Sequence, residues 1–299
     1  MNKDIICSGA FPPKEETLIV TWSLLTKCNY NCPYCMTKGT EVSSDEAIEN
    51  TIEFLFSLKN CNLEITLFGG EPTIDKRLYS IAKRLRTFAK VIIFTNLSAS
   101  VNTYKDLLNI GCSLNVSYHG RIVRDNQAFL DKMQSLFDEK KDCFNYVNVL
   151  LDEGIGEVLD FCKKNGINHR LSPIIGESKK SDWIECIKYN NTLTDKCYDT
   201  TIITSSLEER KLIDTECMFL NYNKFKNYIC YAGYSYIFID HKGLIYRCVN
   251  DYDNNKFISS VKDKFIQRPS ICEYDTCNCE FFVPKEIKDG MCNLHLKTI

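Results

Sequence analysis

From about residue 17 to residue 190, short apolar, β-branched runs alternate with helical patterns, which restricts the chain to repeated βα units on a parallel sheet. Six strand candidates stand out, at residues 18–24, 63–68, 91–97, 113–119, 144–151 and 169–175. The segments between them carry apolar stripes at helical spacing. Ile48, Ile52, Leu55 and Phe56 mark the first, and Leu78, Ile81, Leu85 and Phe88 the second. A short third lies around Leu107 and Leu108, followed by Phe129, Met133, Leu136 and Phe137, then Val158, Leu159 and Cys162. Ser43 or Ser44, ahead of Asp45 and Glu46, reads as an N-cap with an acidic first turn.

The chain has 299 residues, 44% of them hydrophobic and 25% charged, enough for one substantial core and a smaller module. The fold class read from the pattern is α/β: six βα units over 17–190, a polar junction over 191–229, and a Cys-rich, hairpin-containing module over 230–299. Residues 1–16 form an N-terminal extension. A formal net charge of −2 builds in no general attraction to nucleic acid or to anionic membrane. No apolar run reaches the roughly 20 residues that span a bilayer. The opening MNKDIICSGAFPPKEE breaks at Pro12 and Pro13 before any signal-like stretch, so the reading is cytoplasmic.

Cysteine is the anomaly, at 17 residues in a chain too large to be a disulfide-stapled secreted domain, and metal ligation is the better reading. Cys28-Asn29-Tyr30-Asn31-Cys32-Pro33-Tyr34-Cys35 follows the first strand directly, at the sheet end where parallel-sheet enzymes keep their ligands. Three thiolates suit iron–sulfur or zinc, and on a four-iron cube they leave one iron open to a ligand. A zinc knuckle would want a fourth Cys or His nearby, and the loop supplies none.

This Cys-x3-Cys-x2-Cys loop, with Tyr34 in the aromatic slot, resembles the signature of the radical S-adenosylmethionine (SAM) superfamily. Gly69-Gly70-Glu71-Pro72, after the second strand, is similar to that family's GGE loop. The resemblance implies a partial (β/α)6 barrel and a 4Fe–4S cluster on Cys28, Cys32 and Cys35 that chelates SAM. Tyr34 would lie against the adenine, and the Gly69–Pro72 loop would receive the SAM amino group. Glycines allow close backbone approach, and the Glu71 carboxylate matches an ammonium. By the resemblance, the strand ends Thr95, Asn96, Ser117 and His119 would lie where the family often places ribose and carboxylate contacts, with Asn96 and Ser117 foremost, and Asn148 and Arg170 lie on the fifth and sixth strands.

In the last 70 residues, 234–240, His241-Lys242-Gly243 and 244–247 read as a hairpin that brings Cys230 and Cys248 together. The spacing Cys230-x12-Gly243-x4-Cys248 resembles the start of the auxiliary-cluster module called SPASM, or its shorter form, twitch. The downstream Cys272, Cys277, Cys279 and Cys292 depart from the full SPASM spacing. The resemblance therefore implies one auxiliary 4Fe–4S cluster, on Cys230, Cys248 and two of those four, with Cys217 an outside candidate. A zinc ribbon is the alternative.

The resemblance further implies reductive cleavage of SAM to a 5′-deoxyadenosyl radical, fed by an external donor of the flavodoxin or ferredoxin type. One outcome the resemblance implies is a ribosomally made peptide as substrate, to be oxidised, cross-linked or epimerised. The alternative is dehydrogenation or epimerisation of a small carbohydrate or nucleoside metabolite. Only 27 residues precede Cys28, fewer than a leader-recognition domain needs, which weighs against the peptide. A nonenzymatic zinc or iron–sulfur module is the reading from another class.

Overall fold

The computed structural model describes residues 5–9, 17–35, 37–193, 200–277 and 283–287. Strands β1 (Ile5–Gly9) and β2 (Thr17–Leu25) precede the alternating run α1 (Asp45–Ser57), β3 (Asn62–Gly69), α2 (Leu78–Leu85), β4 (Lys90–Thr95), α3 (Val101–Asn109) and β5 (Ser113–Tyr118). It continues through α4 (Asn126–Glu139), β6 (Phe144–Leu150), α5 (Gly156–Lys164), β7 (His169–Ser172) and α6 (Lys180–Asn190). Then come β8 (Thr200–Thr204), β9 (Glu209–Leu212), α7 (Asp214–Phe219), β10 (Tyr228–Cys230), β11 (Tyr236–Ile239) and β12 (Leu244–Tyr246). The remaining elements are α8 (Val249–Asp253), β13 (Ser259–Ser260), β14 (Ser270–Ile271) and β15 (Lys285–Ile287). The chain divides into two compact units: Thr21–Lys196 with Asp240–Gly243, and Met1–Val20 with Cys197–Ile239 and Leu244–Ile299.

In the first unit the strand order runs β2-β3-β4-β5-β6-β7, and the pairings from β3 through β7 are parallel. Buried Leu63, Ile65, Leu67, Val91, Ile93, Leu114, Val116, Val147 and Val149 account for the apolar runs, as expected of strands covered on both faces. Ser44, rather than Ser43, caps α1 by accepting the Ala47 N–H at 3.1 Å. The Ser43 hydroxyl donates instead to the Leu24 carbonyl at 2.7 Å. Two stripe positions differ from the sequence reading: Phe56 is 47% exposed while Phe54 is buried, and Phe88, edge-on to Phe56, lies in the turn after α2 and is half-buried. The third helix is longer than Leu107 and Leu108 alone suggest, because Ser100 caps it and Tyr104 adds a buried turn.

The second unit holds an antiparallel sheet ordered β14-β10-β15-β1-β8-β9, and the hairpin β11/β12 with β13 alongside. The expected hairpin turns at Gly243 (φ 81°), whose N–H donates to the Asp240 carbonyl at 3.0 Å. The stretch 191–229, read as a polar junction, contains β8, β9 and α7. Thr200, Thr201, Ile202 and Ile203 are β-branched and suit a strand. Their partner is β1, in register Cys7↔Ile203, a long-range pairing that no local pattern signals. No helix among the described residues is long and apolar enough to cross a membrane.

Candidate active site and a second cysteine cluster

Two loops meet at the sheet ends of β2 and β3. The Gly70 N–H donates to the Leu25 carbonyl at 2.9 Å and the Glu71 N–H to the Lys27 carbonyl at 3.0 Å. This approach requires glycine. A Cβ on Gly69, whose φ is 136°, would lie 2.0 Å from the Leu25 oxygen, and one on Gly70 would lie 2.0 Å from the Lys27 oxygen. The Gly-Gly pair thus locks its loop to the root of the cysteine loop.

On that root stand the three thiols. Cys28 Sγ accepts the Tyr30 N–H at 3.3 Å and lies 3.9 Å from Asn96 Nδ2. Cys35 donates to the Thr37 carbonyl at 3.2 Å, and its N–H bonds the Cys32 carbonyl at 3.2 Å. Cys32 is buried, with Sγ 3.8 Å from His119 Nδ1. The Tyr34 hydroxyl reaches the same Nδ1 at 3.1 Å, with the two rings near parallel and 6.0 Å apart. Burial pushes the Cys28 and Cys32 thiols up, and the other loop thiols add to it. Burial also holds His119 down to about 4, so its imidazole is neutral at neutral pH.

The sequence reading sets the Glu71 carboxylate at the ligand's ammonium, but the structure turns it inward. Glu71 is 0% exposed. One oxygen accepts the Thr73 N–H at 3.1 Å, the Thr73 hydroxyl at 2.6 Å and the Thr95 hydroxyl at 2.9 Å, and the other accepts the Asn96 N–H at 2.7 Å. Burial raises its pKa, and the donors from Thr73, Asn96 and Thr95 oppose that rise. Glu71 therefore braces Pro72 and the end of β4, where Leu97 turns into the left-handed region at φ 58°. Glu71→Ala would strand these four donors, and at about 1–3 kcal/mol per buried unsatisfied group the first unit should lose at least about 2 kcal/mol. Glu71→Gln should not rescue it, because either amide orientation sets an NH2 against a backbone N–H. Thermal unfolding checks this, and an unchanged melting temperature in both variants would contradict the brace.

Asn96 Nδ2 donates to Asn29 Oδ1 at 3.1 Å, tying the end of β4 to the cysteine loop. Ser117 is buried on β5, opposite Asn148 on β6. Asn148 accepts from Ser172 at 2.7 Å, and the Arg170 guanidinium lies 4.9 Å from the Tyr146 ring centroid, so both join a local network on β6 and β7. Tyr30, edge-on to His119 at 6.1 Å, and Arg121, 5.4 Å from the Tyr34 ring centroid, also border the thiols. Neither was singled out from sequence; the loop position of Tyr30 was the available signal.

In the second unit, Cys230 ends β10, Cys248 precedes α8, and Cys272 follows β14 with its N–H on the Tyr228 carbonyl at 2.8 Å. The Cys277 N–H bonds the Asn223 carbonyl at 2.7 Å, and Asn250 Nδ2 donates to the Thr276 carbonyl at 2.9 Å. All four thiols are buried. Burial drives Cys230 up to about 12, with Cys277 and Cys272 adding to the rise. Burial likewise raises Cys272, with Cys277 and Cys248 adding to it. Cys279 and Cys292 lie outside the described residues, and Cys217 is buried on α7.

No family model matches the chain. It is 35% identical over 83 residues to the "Probable GTP 3',8-cyclase" of Thermoplasma volcanium, covering 26% of this chain and 24% of that protein. It is 28% identical over 155 residues to the GTP 3',8-cyclase of Campylobacter lari, covering 49% of this chain and 47% of that one. The chain thus spans between 24% and 47% of the length of these curated relatives. Among solved structures, anSMEcpe with bound AdoMet gives a TM-score of 0.59 at 15% identity, covering 84% of this chain and 79% of that one. Streptococcus suis SuiB bound to precursor peptide SuiA gives 0.60 at 16% identity, covering 84% and 64%. These likenesses show that the chain shares the fold of anSMEcpe and SuiB.

The donor sets suit iron–sulfur clusters. Three thiols on one loop suit a cube with an open iron, and four buried thiols suit a closed cluster. No group of three His, Cys, Asp or Glu among the described residues is arranged around a single metal ion. In a cube each thiolate binds its own iron.

Proposed function

We propose that the chain is a radical SAM enzyme that would hold a 4Fe–4S cluster on Cys28, Cys32 and Cys35, bind SAM beside it, and abstract hydrogen from a peptide. Cys230, Cys248, Cys272 and Cys277 would hold a second 4Fe–4S cluster. The first cluster, when loaded, supplies the electron that splits SAM into methionine and a 5′-deoxyadenosyl radical. The observation that supports this reading is the pinning of the Gly69–Gly70 turn to Leu25 and Lys27, at the root of the loop that carries the three thiols.

The chain's own residues then have distinct tasks. Tyr34, Tyr30 and His119 wall the thiols and limit water. The neutral His119 offers Nδ1 to the Tyr34 hydroxyl, fixing the ring that would lie against adenine. Glu71 holds the Gly69–Pro72 loop in shape, leaving backbone groups to meet the SAM amino group, and Asn96 steadies the cysteine loop through Asn29. An external one-electron carrier of the flavodoxin or ferredoxin type supplies reductant.

The peptide reading draws on SuiB, which was solved with its precursor peptide, and on anSMEcpe, solved with AdoMet and peptides. A second reading, a nucleotide substrate, is favoured by the GTP 3',8-cyclases among the curated relatives. Deuterium transfer separates them. The loaded enzyme, SAM and reductant are incubated with deuterated peptides encoded beside its gene, or with deuterated GTP. Label in 5′-deoxyadenosine should come from a peptide; label from GTP alone would overturn the peptide reading.

A further inference from the structure

We propose that the cavity walled by two Lys-Phe-Ile tripeptides of the second unit, Lys256-Phe257-Ile258 and Lys264-Phe265-Ile266, docks an acidic, apolar segment of the peptide substrate. This inference rests on the peptide reading above.

Between the tripeptides the chain folds back on itself. β13 follows the first, and a turn follows β13: the Asp263 N–H donates to the Ser260 carbonyl at 2.9 Å, and the Lys262 N–H to the Ser260 hydroxyl at 3.2 Å. The Ser259 hydroxyl donates to the Lys264 carbonyl at 3.4 Å, so the second tripeptide starts alongside the strand that follows the first. All six residues line one cavity of about 390 Å³, within the size range of sites that hold ligands. Three of its apolar side chains are open to solvent: Phe257 is 54% exposed, Ile258 43% and Ile266 62%. Apolar groups clustered on a surface with a polar rim mark a contact site.

Charge selects the partner. The cavity has four cations, Arg247, Lys256, Lys264 and Arg268, and two carboxylates, Asp251 and Glu273. Both carboxylates are paired, Asp251 with Arg247 at 2.6 Å and Glu273 with Lys256 at 2.9 Å. Lys264 and Arg268 are exposed and make no ion pair among the described residues. Phe265 and Ile266 stand between them in the sequence. That pattern suits carboxylates spaced along an apolar chain better than the contiguous charge of a polyphosphate. The whole chain carries a formal net charge of −2, so it offers an acidic peptide no general attraction, and the attraction here is local.

The test titrates the full-length protein, by calorimetry, with two acetylated peptides, one alternating Glu with Leu and the other alternating Lys with Leu. The Glu–Leu peptide should bind, and the Lys–Leu peptide should bind at least about tenfold more weakly. Lys264→Glu combined with Arg268→Glu should reverse that preference, which a misfolded variant could not do. Phe257→Ser combined with Ile266→Ser should weaken the Glu–Leu peptide about tenfold. An unchanged affinity in the double Glu variant would overturn the inference, as would equal affinity of the wild type for both peptides. Binding of phosphatidylserine vesicles in place of either peptide would also overturn it, and would make this face a membrane contact. The deuterium experiment keeps the two readings apart. Label from GTP alone would overturn the peptide reading and this inference with it, whereas label from a peptide that the double Glu variant binds as tightly as the wild type would overturn the inference alone.

Discussion

Replacing Cys28, Cys32 and Cys35 together with Ala should abolish release of 5′-deoxyadenosine from SAM and remove about four irons per chain. The expectation follows from where the thiols stand. All three leave one loop whose root is pinned by the Gly70 and Glu71 N–H groups, and Cys32 and Cys28 contact His119 and Asn96 at the ends of β5 and β4. No other described cysteine of this unit sits on that loop; Cys112, Cys143, Cys162 and Cys186 are buried elsewhere as small apolar side chains. Mass spectrometry of the nucleoside and an iron count read both effects. Persistent 5′-deoxyadenosine in the triple variant would remove these residues from the chemistry.

The second large effect belongs to Cys272 and Cys277. With both changed to Ala, about four further irons should be lost, and turnover of the true substrate should stop while some unproductive SAM cleavage continues. The first cluster's ligands lie in the other unit, so they remain in place. Cys279→Ala and Cys292→Ala should each retain the full iron content. Equal iron loss in Cys279→Ala would exchange it for a member of the quartet, and zinc in place of iron at these thiols would make the module a zinc ribbon.

The βα order was legible because each unit is local. Phe129, Met133, Leu136 and Phe137 declare a helix face within three turns, and all four are buried. The cysteine loop and the Gly-Gly turn were legible for the same reason, each lying within a few residues of a strand end. Features that depend on partners far along the chain were hidden. The inward turn of Glu71 depends on Thr95 and Asn96, which a sequence pattern cannot orient. The pairing of β1 with β8 depends on residues almost two hundred positions apart, a separation estimated from the register Cys7↔Ile203. The backbone bonds of Cys272 and Cys277 to Tyr228 and Asn223 were likewise hidden, because both partners lie far along the chain.

The most direct measurement is the yield of 5′-deoxyadenosine from SAM by the wild-type chain, purified and reconstituted without oxygen and supplied with a strong reductant. A radical SAM enzyme with two clusters should bind about eight irons and form the nucleoside well above a protein-free control. A fully loaded protein that forms none would contradict SAM cleavage as its chemistry.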